Sequence, residues 1–350
     1  MSHTLSHTHP KKTYTEIDVL KAFSALTVIF IHIVGTYRSI PYVHNLWVWS
    51  HFAVGAFVVA SGFLQEIHPV AISGVIPALK WFATRIKRLV LPYYGYVFAH
   101  ATLIFLLPAI FDRYHPTITF PFLRDTILLI GGFGQNWIPR LFVMIAMTYL
   151  ALQFIKSAFK LTNRFYWILY AFSLAISLFF LIQRPESSKY SMIFTWYTLF
   201  LFGGIIYRHR SNIRLLKLTG LTSGIIFLTL YTFYYARGLS TSIFPHKYPP
   251  SLYFLAYNTA VITLLYAAGS RIQSGIASHP FVGNTIRFIS RHSYSIFFVH
   301  IIVLDALHKP TGFWLSDFLI ISAATILTVY VLNYSSTALV SFLRIRHHGA

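Results

Sequence analysis

Runs of apolar residues long enough to cross the ~30 Å hydrocarbon core of a bilayer as an α-helix, roughly 20 residues each, recur along the whole chain. Short polar or basic breaks separate them. Setting runs against breaks predicts ten helices, near residues 17–37, 46–67, 89–111, 136–155, 165–183, 191–207, 218–236, 250–268, 292–308 and 316–342. Of the 15 prolines, most fall in the breaks, and Pro92, Pro108 and Pro139 fall near predicted helix ends. Helix interiors are thus spared a residue that removes a backbone donor and clashes with the preceding turn. The pattern predicts an all-α, polytopic membrane protein with about ten transmembrane helices.

Charge orients this parse. Counted on alternate sides of it, 18 of the 28 Lys and Arg residues lie on one side and 9 on the other, with Lys21 inside the first helix. Cytoplasmic loops carry the basic excess, so the richer side is inside and, with an even number of helices, both termini are cytoplasmic. No break exceeds about 25 residues, which leaves no room for a separate soluble catalytic or nucleotide-binding domain. Any chemistry must be embedded in a single transmembrane domain, residues 17–343, flanked by cytoplasmic tails at 1–16 and 344–350. The long outer break, 112–135, carries Phe120, Phe122, Leu123 and Ile127, which suits an interfacial or re-entrant segment.

Composition agrees and excludes other classes. The 350 residues are 56% hydrophobic and 10% charged, with a mean hydropathy of +0.62, whereas soluble domains carry about a quarter charged residues. The net charge of +20 resides in short clusters between apolar runs, so it does not form a nucleic-acid-binding face. The absence of cysteine rules out disulfides, thiolate metal sites and an acyl-cysteine intermediate. The first run is too long for a signal-peptide core and is followed by no small-residue cleavage pattern, so it is read as a retained helix.

An ionisable residue inside a span is costly and marks a candidate site. The first helix carries Asp18, Lys21 and His32. The eleven-residue step from Lys21 to His32 returns to within ~20° of the same helical face and rises ~16 Å. One stripe therefore runs from a cytoplasmic lysine to a histidine in the outer leaflet, where a neutral imidazole can take a proton from a sugar hydroxyl and return it. Spacing alone favours a plainer alternative: Lys21 snorkels to the headgroups, His32 bonds a neighbouring helix, and Asp18 pairs with Lys21 or favours the helix dipole. Arg85 and Arg88 share a face at the cytoplasmic mouth of the third predicted helix. Paired guanidinium groups suit phosphates, though they also serve as a topology anchor. His51, His100 and His300 read as packed, hydrogen-bonded histidines, with Asp305 placed either to orient an imidazole or to be solvated at a helix end. His3, His7 and His9, with His347 and His348, have no second carboxylate or thiolate shell, and no metal is expected.

Four segments carry a resemblance to a family. They are Glu16-Ile17-Asp18-Val19-Leu20-Lys21-Ala22-Phe23 followed by His32; Gly55 to Leu64, containing Ser61-Gly62-Phe63; Arg85-x-x-Arg88-x-x-x-Pro92; and Ser293-Tyr294-Ser295-Ile296-Phe297-Phe298-Val299-His300. In this order the chain resembles the membrane-bound acyltransferase 3 family of bacterial O-acyltransferases. In size it is similar to the short members of the intercellular adhesin membrane protein type, associated with biofilm exopolysaccharide. The resemblance implies transfer of an acyl group, commonly acetyl from acetyl-CoA, to a hydroxyl of a cell-surface or exported polysaccharide at the bacterial plasma membrane. His32 would match the family's essential histidine, Lys21 the arginine thought to help the donor, and Arg85 and Arg88 the basic pair near the CoA phosphates. Two departures stand out. Lysine at position 21 keeps the charge but not the planar fork, and the segment from Asn136 to Phe142 lacks the Glu-bearing motif of the long members. The competing readings are a polysaccharide exporter without transferase activity and a non-catalytic companion of polysaccharide synthase or export proteins. Lipid contacts every span in all three.

Overall fold

The computed structural model describes residues 15–67, 69, 74–111, 119–132, 136–159, 164–183 and 191–348. Among them the chain is helical, without a β-strand. The elements are α1 (Thr15–Val34), α2 (Pro41–Trp49), α3 (Ala53–Ile67), α4 (Val75–Leu106), α5 (Phe120–Ile127), α6 (Trp137–Phe159), α7 (Arg164–Gln183), α8 (Ser191–Arg208), α9 (Ile213–Ala236), α10 (Leu252–Arg271), α11 (Gln273–Ser278), α12 (Pro280–Leu307) and α13 (Trp314–His348). Seven helical segments are long and apolar enough to cross a membrane: α1, α2 with α3, α4, α6, α9, α10 and α13. The three other predicted runs also fold as helices, α7, α8 and α12. The last carries Arg287, Arg291 and Asp305 and so is less apolar.

Burial sorts these helices into a centre and a rim. Helix α1 packs against α3, α10, α12 and α13, and its interior hydroxyls are satisfied locally, Ser24 donating to Leu20 O (2.7 Å) and Thr27 to Phe23 O (2.8 Å). A helix that closes its own polar groups in this way can sit in an apolar core. At the rim, only 6% of the α9 window is buried, against 56% for α1. Large apolar side chains such as Phe98, Phe105 and Leu221 face outward. An apolar exterior of this extent suits lipid rather than water.

The boundaries differ from the sequence expectation in three places. The third run, 89–111, is the latter part of α4, which starts at Val75, so Pro92 lies inside a helix and not near its end. The early part of α4 carries Lys80, Arg85, Lys87 and Arg88; hydropathy reads such a segment as a break although a helix satisfies its backbone equally well. Pro92 has no N–H to give the carbonyl one turn earlier. Beside that turn the Tyr294 hydroxyl of α12 donates to Leu89 O (2.7 Å). For the same reason α12 begins at Pro280 rather than 292. The run 46–67 is divided into α2 and α3 around Ser50, whose hydroxyl donates to Leu46 O (2.7 Å).

Candidate active site

The half-buried Lys21 of α1 opens into a first cavity, of about 470 Å³. Arg85 and Arg88 of α4 and Arg291 of α12 also line it, so four cations from three helices surround one space. Arg85 is held in place: its Nη2 donates to Gln65 Oε1 (3.1 Å), and its guanidinium lies 5.9 Å from the Trp81 ring centroid. One apolar wall comes from α6 through Ile138, Phe142, Ile145 and Tyr149, which recur at helical spacing on one face. Helix α3 contributes Ala60, Ser61 and Leu64.

No carboxylate among the described residues lines this cavity. Glu66 pairs with Arg208 (2.6 Å), Asp125 with Arg124 (2.7 Å) and Asp305 with His100 (3.1 Å). Asp317 accepts from Tyr37 and from the Thr311 N–H (2.9 Å), and Glu16 faces the Tyr266 hydroxyl (3.5 Å). Asp18 accepts from Ser290 Oγ (2.5 Å). No ion pair among the described residues joins a carboxylate to any of these four cations, although Asp18 acts on Lys21 through space.

A second cavity, of about 460 Å³, holds His32. His51, in the break between α2 and α3, lines it as well. The His51 Nδ1 donates to Trp47 O (2.7 Å), which leaves Nε2 with the lone pair. The His32 ring lies 5.0 Å from that of His300. His300 is itself fixed by its Nδ1 donating to Ile296 O (3.1 Å). Aromatic walls come from Trp47, Trp137, Phe244 and Tyr248, and two cations, Lys247 and Arg38, complete the lining.

Phe297 of α12 lines both cavities and divides them. Of the predicted residues, Lys21, Arg85 and Arg88 therefore meet in one chamber and His32 stands in the next, ~16 Å farther along α1. Asp18 is brought to neither lining; it accepts from Ser290 Oγ and acts on Lys21 at longer range. His100 is a core histidine, with its Nε2 3.1 Å from Asp305 Oδ2 and its Nδ1 3.2 Å from the Tyr96 hydroxyl. His3, His7 and His9 lie outside the described residues.

A family model described as an acyltransferase domain matches residues 14–334. The chain belongs to the acyltransferase 3 family. No curated protein and no solved structure matches it. The matched stretch includes all four resembling segments and every residue lining the two cavities. This acyltransferase is a membrane protein, and its polar chambers lie within its helices.

Four lining residues of the acyltransferase were not singled out for the site from sequence. Arg291 counted only as a topology charge, although it stands two residues before the segment starting at Ser293; knowing that α12 extends back to Pro280 would have placed it on the same helix as His300. His51 was read as a packed histidine. Phe297 lies within a recognised segment but carries no polar signal. Lys247 sits in the loop between α9 and α10, where no periodicity applies. It is 7% exposed, with Nζ 5.3 Å from the Trp137 ring centroid and 5.0 Å from that of Tyr248. Burial pushes its ammonium from the ordinary 10.5 down to about 7.

Proposed function

We propose that the protein is a plasma-membrane O-acyltransferase that moves an acyl group, in our reading acetyl, from cytoplasmic acyl-CoA to a hydroxyl of a cell-surface or exported polysaccharide. One observation carries this reading: two chambers of opposite character, a cationic one at Lys21 and an aromatic, histidine-bearing one at His32, meet at Phe297 along the same helix. The reading takes the ten long helices as ten crossings with both termini in the cytoplasm, so that the basic chamber faces the cytoplasm and the His32 chamber faces outward. Polysaccharide synthase or export proteins would supply the acceptor.

The chemistry follows from the two linings. Lys21, Arg85, Arg88 and Arg291 hold the phosphates of the donor, and the acyl-bearing arm extends along the apolar face of α6 toward Phe297. Arginine forks suit phosphate oxygens, and Lys21 acts as a point charge in place of a fork. In the outer chamber His32 takes the proton from the acceptor hydroxyl as its oxygen bonds to the thioester carbonyl carbon. The carbon–sulfur bond then breaks, the ester leaves on the glycan, and the proton passes to the departing thiolate, so atoms and charge balance. His300 against the His32 ring and Lys247 across the cavity shape the surroundings of that base.

Replacing His32 by Ala should abolish acyl transfer from acyl-CoA to surface glycan while leaving the amount of membrane-inserted protein unchanged. Mass spectrometry of glycan acyl content in cells making either form reads this directly, and unaltered acyl content in H32A would sink the mechanism. A pure exporter has no evident use for four cations around one inner chamber.

A further inference from the structure

We infer that the outer chamber selects an anionic acceptor, a saccharide carrying its own carboxylate or phosphate, which Lys247 pairs from within while Arg38 receives it at the mouth. This rests on the acyltransferase reading above and adds the acceptor's chemical class. Lys247 is buried, and among the described residues the faces of Trp137 and Tyr248 stand against its Nζ, with His32 and His51 near enough to feel its charge. All six described carboxylates are engaged elsewhere, with Arg208, Arg124, His100, Tyr37 and Thr311, Tyr266 or Ser290, and none lines this chamber. A buried ammonium without a counter-charge is unfavourable unless a ligand supplies one. The depressed basicity of Lys247 is what such isolation produces.

The rest of the chamber fits the remainder of such a ligand. Arg38 is exposed at the mouth and fixed there: its Nε donates to Gly35 O (2.9 Å), and its guanidinium lies over the Trp47 ring at 4.9 Å. Between the two cations stand the faces of Trp47, Trp137 and Tyr248, flat apolar platforms of the kind that receive the C–H face of a sugar ring, with a few polar groups fixing its orientation. A neutral sugar would use the platforms and leave Lys247 unpaired. An acidic one uses both.

The test is a binding measurement that needs no turnover. The full-length protein in nanodiscs of zwitterionic lipid is titrated with an oligogalacturonate and with a neutral maltooligosaccharide of equal length. The acidic probe should bind about tenfold more tightly, the ratio one charge-assisted contact supplies. Lys247→Gln should erase that preference and Lys247→Arg should keep it, which separates charge from folding. Equal binding of the two probes, or a preference that survives Lys247→Gln, overturns the inference. So does loss of the preference when phosphatidylglycerol is added to the nanodiscs, because the cation then serves a lipid headgroup. Acyl transfer that depends on His32 but is indifferent to acceptor charge would overturn this inference and leave the transferase reading standing; a charge preference without His32-dependent transfer would do the reverse.

Discussion

At the residue scale, the informative side chains are those whose charge meets no carboxylate among the described residues. Arg291 is exposed at the inner chamber beside Lys21, Arg85 and Arg88. If it contacts a donor phosphate in ground and transition states alike, Arg291→Gln should raise KM for acyl-CoA about tenfold and leave kcat nearly unchanged. Steady-state kinetics on purified protein decide this, and a fall in kcat at constant KM would remove Arg291 from donor binding. Lys247 supplies a pH dependence. The groups facing it are His32 of α1, His51 between α2 and α3, and Arg38 of the turn after α1, with no described acid. Its ammonium is held at about 7, so the charged fraction falls as pH rises through 7. Affinity for an acidic saccharide should fall with it, and Lys247→Arg should flatten that profile. The stability sign runs the other way. Between about 7 and the ordinary 10.5 the unfolded chain binds more protons than the folded one, so this group's contribution to stability rises with pH across that window. Lys21 and His32 were legible in the sequence because an eleven-residue step on a helix fixes a shared face. Lys247 was not, because a loop has no period and its burial depends on Trp137 and Tyr248 from distant parts of the chain.

At the element scale, the packing of α3 on α8 shows why a small residue was needed within the Ser61-Gly62-Phe63 segment. A Cβ on Gly62 would stand 2.0 Å from Phe200 O, and one on Gly203 would stand 2.0 Å from Val59 O. The two backbones are in direct contact, the arrangement by which membrane helices gain dispersion energy and lose no hydrophobic drive. Gly203→Ala must push α3 and α8 apart and should cost about 3 kcal/mol. Gly224→Ala on the rim meets only Ala260 Cβ at 3.9 Å and should be neutral or stabilising by up to about 1 kcal/mol. Thermal unfolding in detergent compares them, and equal midpoints would refute the contact. Each predicted apolar run lies in a helical region, because hydropathy reports what lipid accepts. It failed at the starts of α4 and α12, where basic residues hide a continuing helix, and those hidden turns carry Arg85, Arg88 and Arg291. Three of the chamber's four cations were therefore visible: Lys21 and the α4 pair could be recognised by spacing, whereas its α12 member could not.

At the scale of the whole molecule, the two chambers have meaning only if they face opposite sides of the bilayer, and the chain offers a clean way to find out. It contains no cysteine, so any cysteine introduced singly is the only thiol present. Thr36 lines the outer chamber and is exposed, Leu239 is exposed in the connection before α10, and Arg210 is exposed between α8 and α9. With ten crossings and cytoplasmic termini, Thr36→Cys and Leu239→Cys should react with a membrane-impermeant maleimide in intact cells, and Arg210→Cys only after permeabilisation. The distribution of 18 basic residues against 9 predicts this order. Should Thr36→Cys and Arg210→Cys label from the same side, an even number of crossings would separate them, in place of the five (α2 with α3, α4, α6, α7 and α8) that the proposal requires. Lys21 and His32 could then not link a cytoplasmic donor to an external acceptor. Labelling from opposite sides would instead leave Phe297, at the junction of the chambers, as the point where a transferred group changes sides of the membrane.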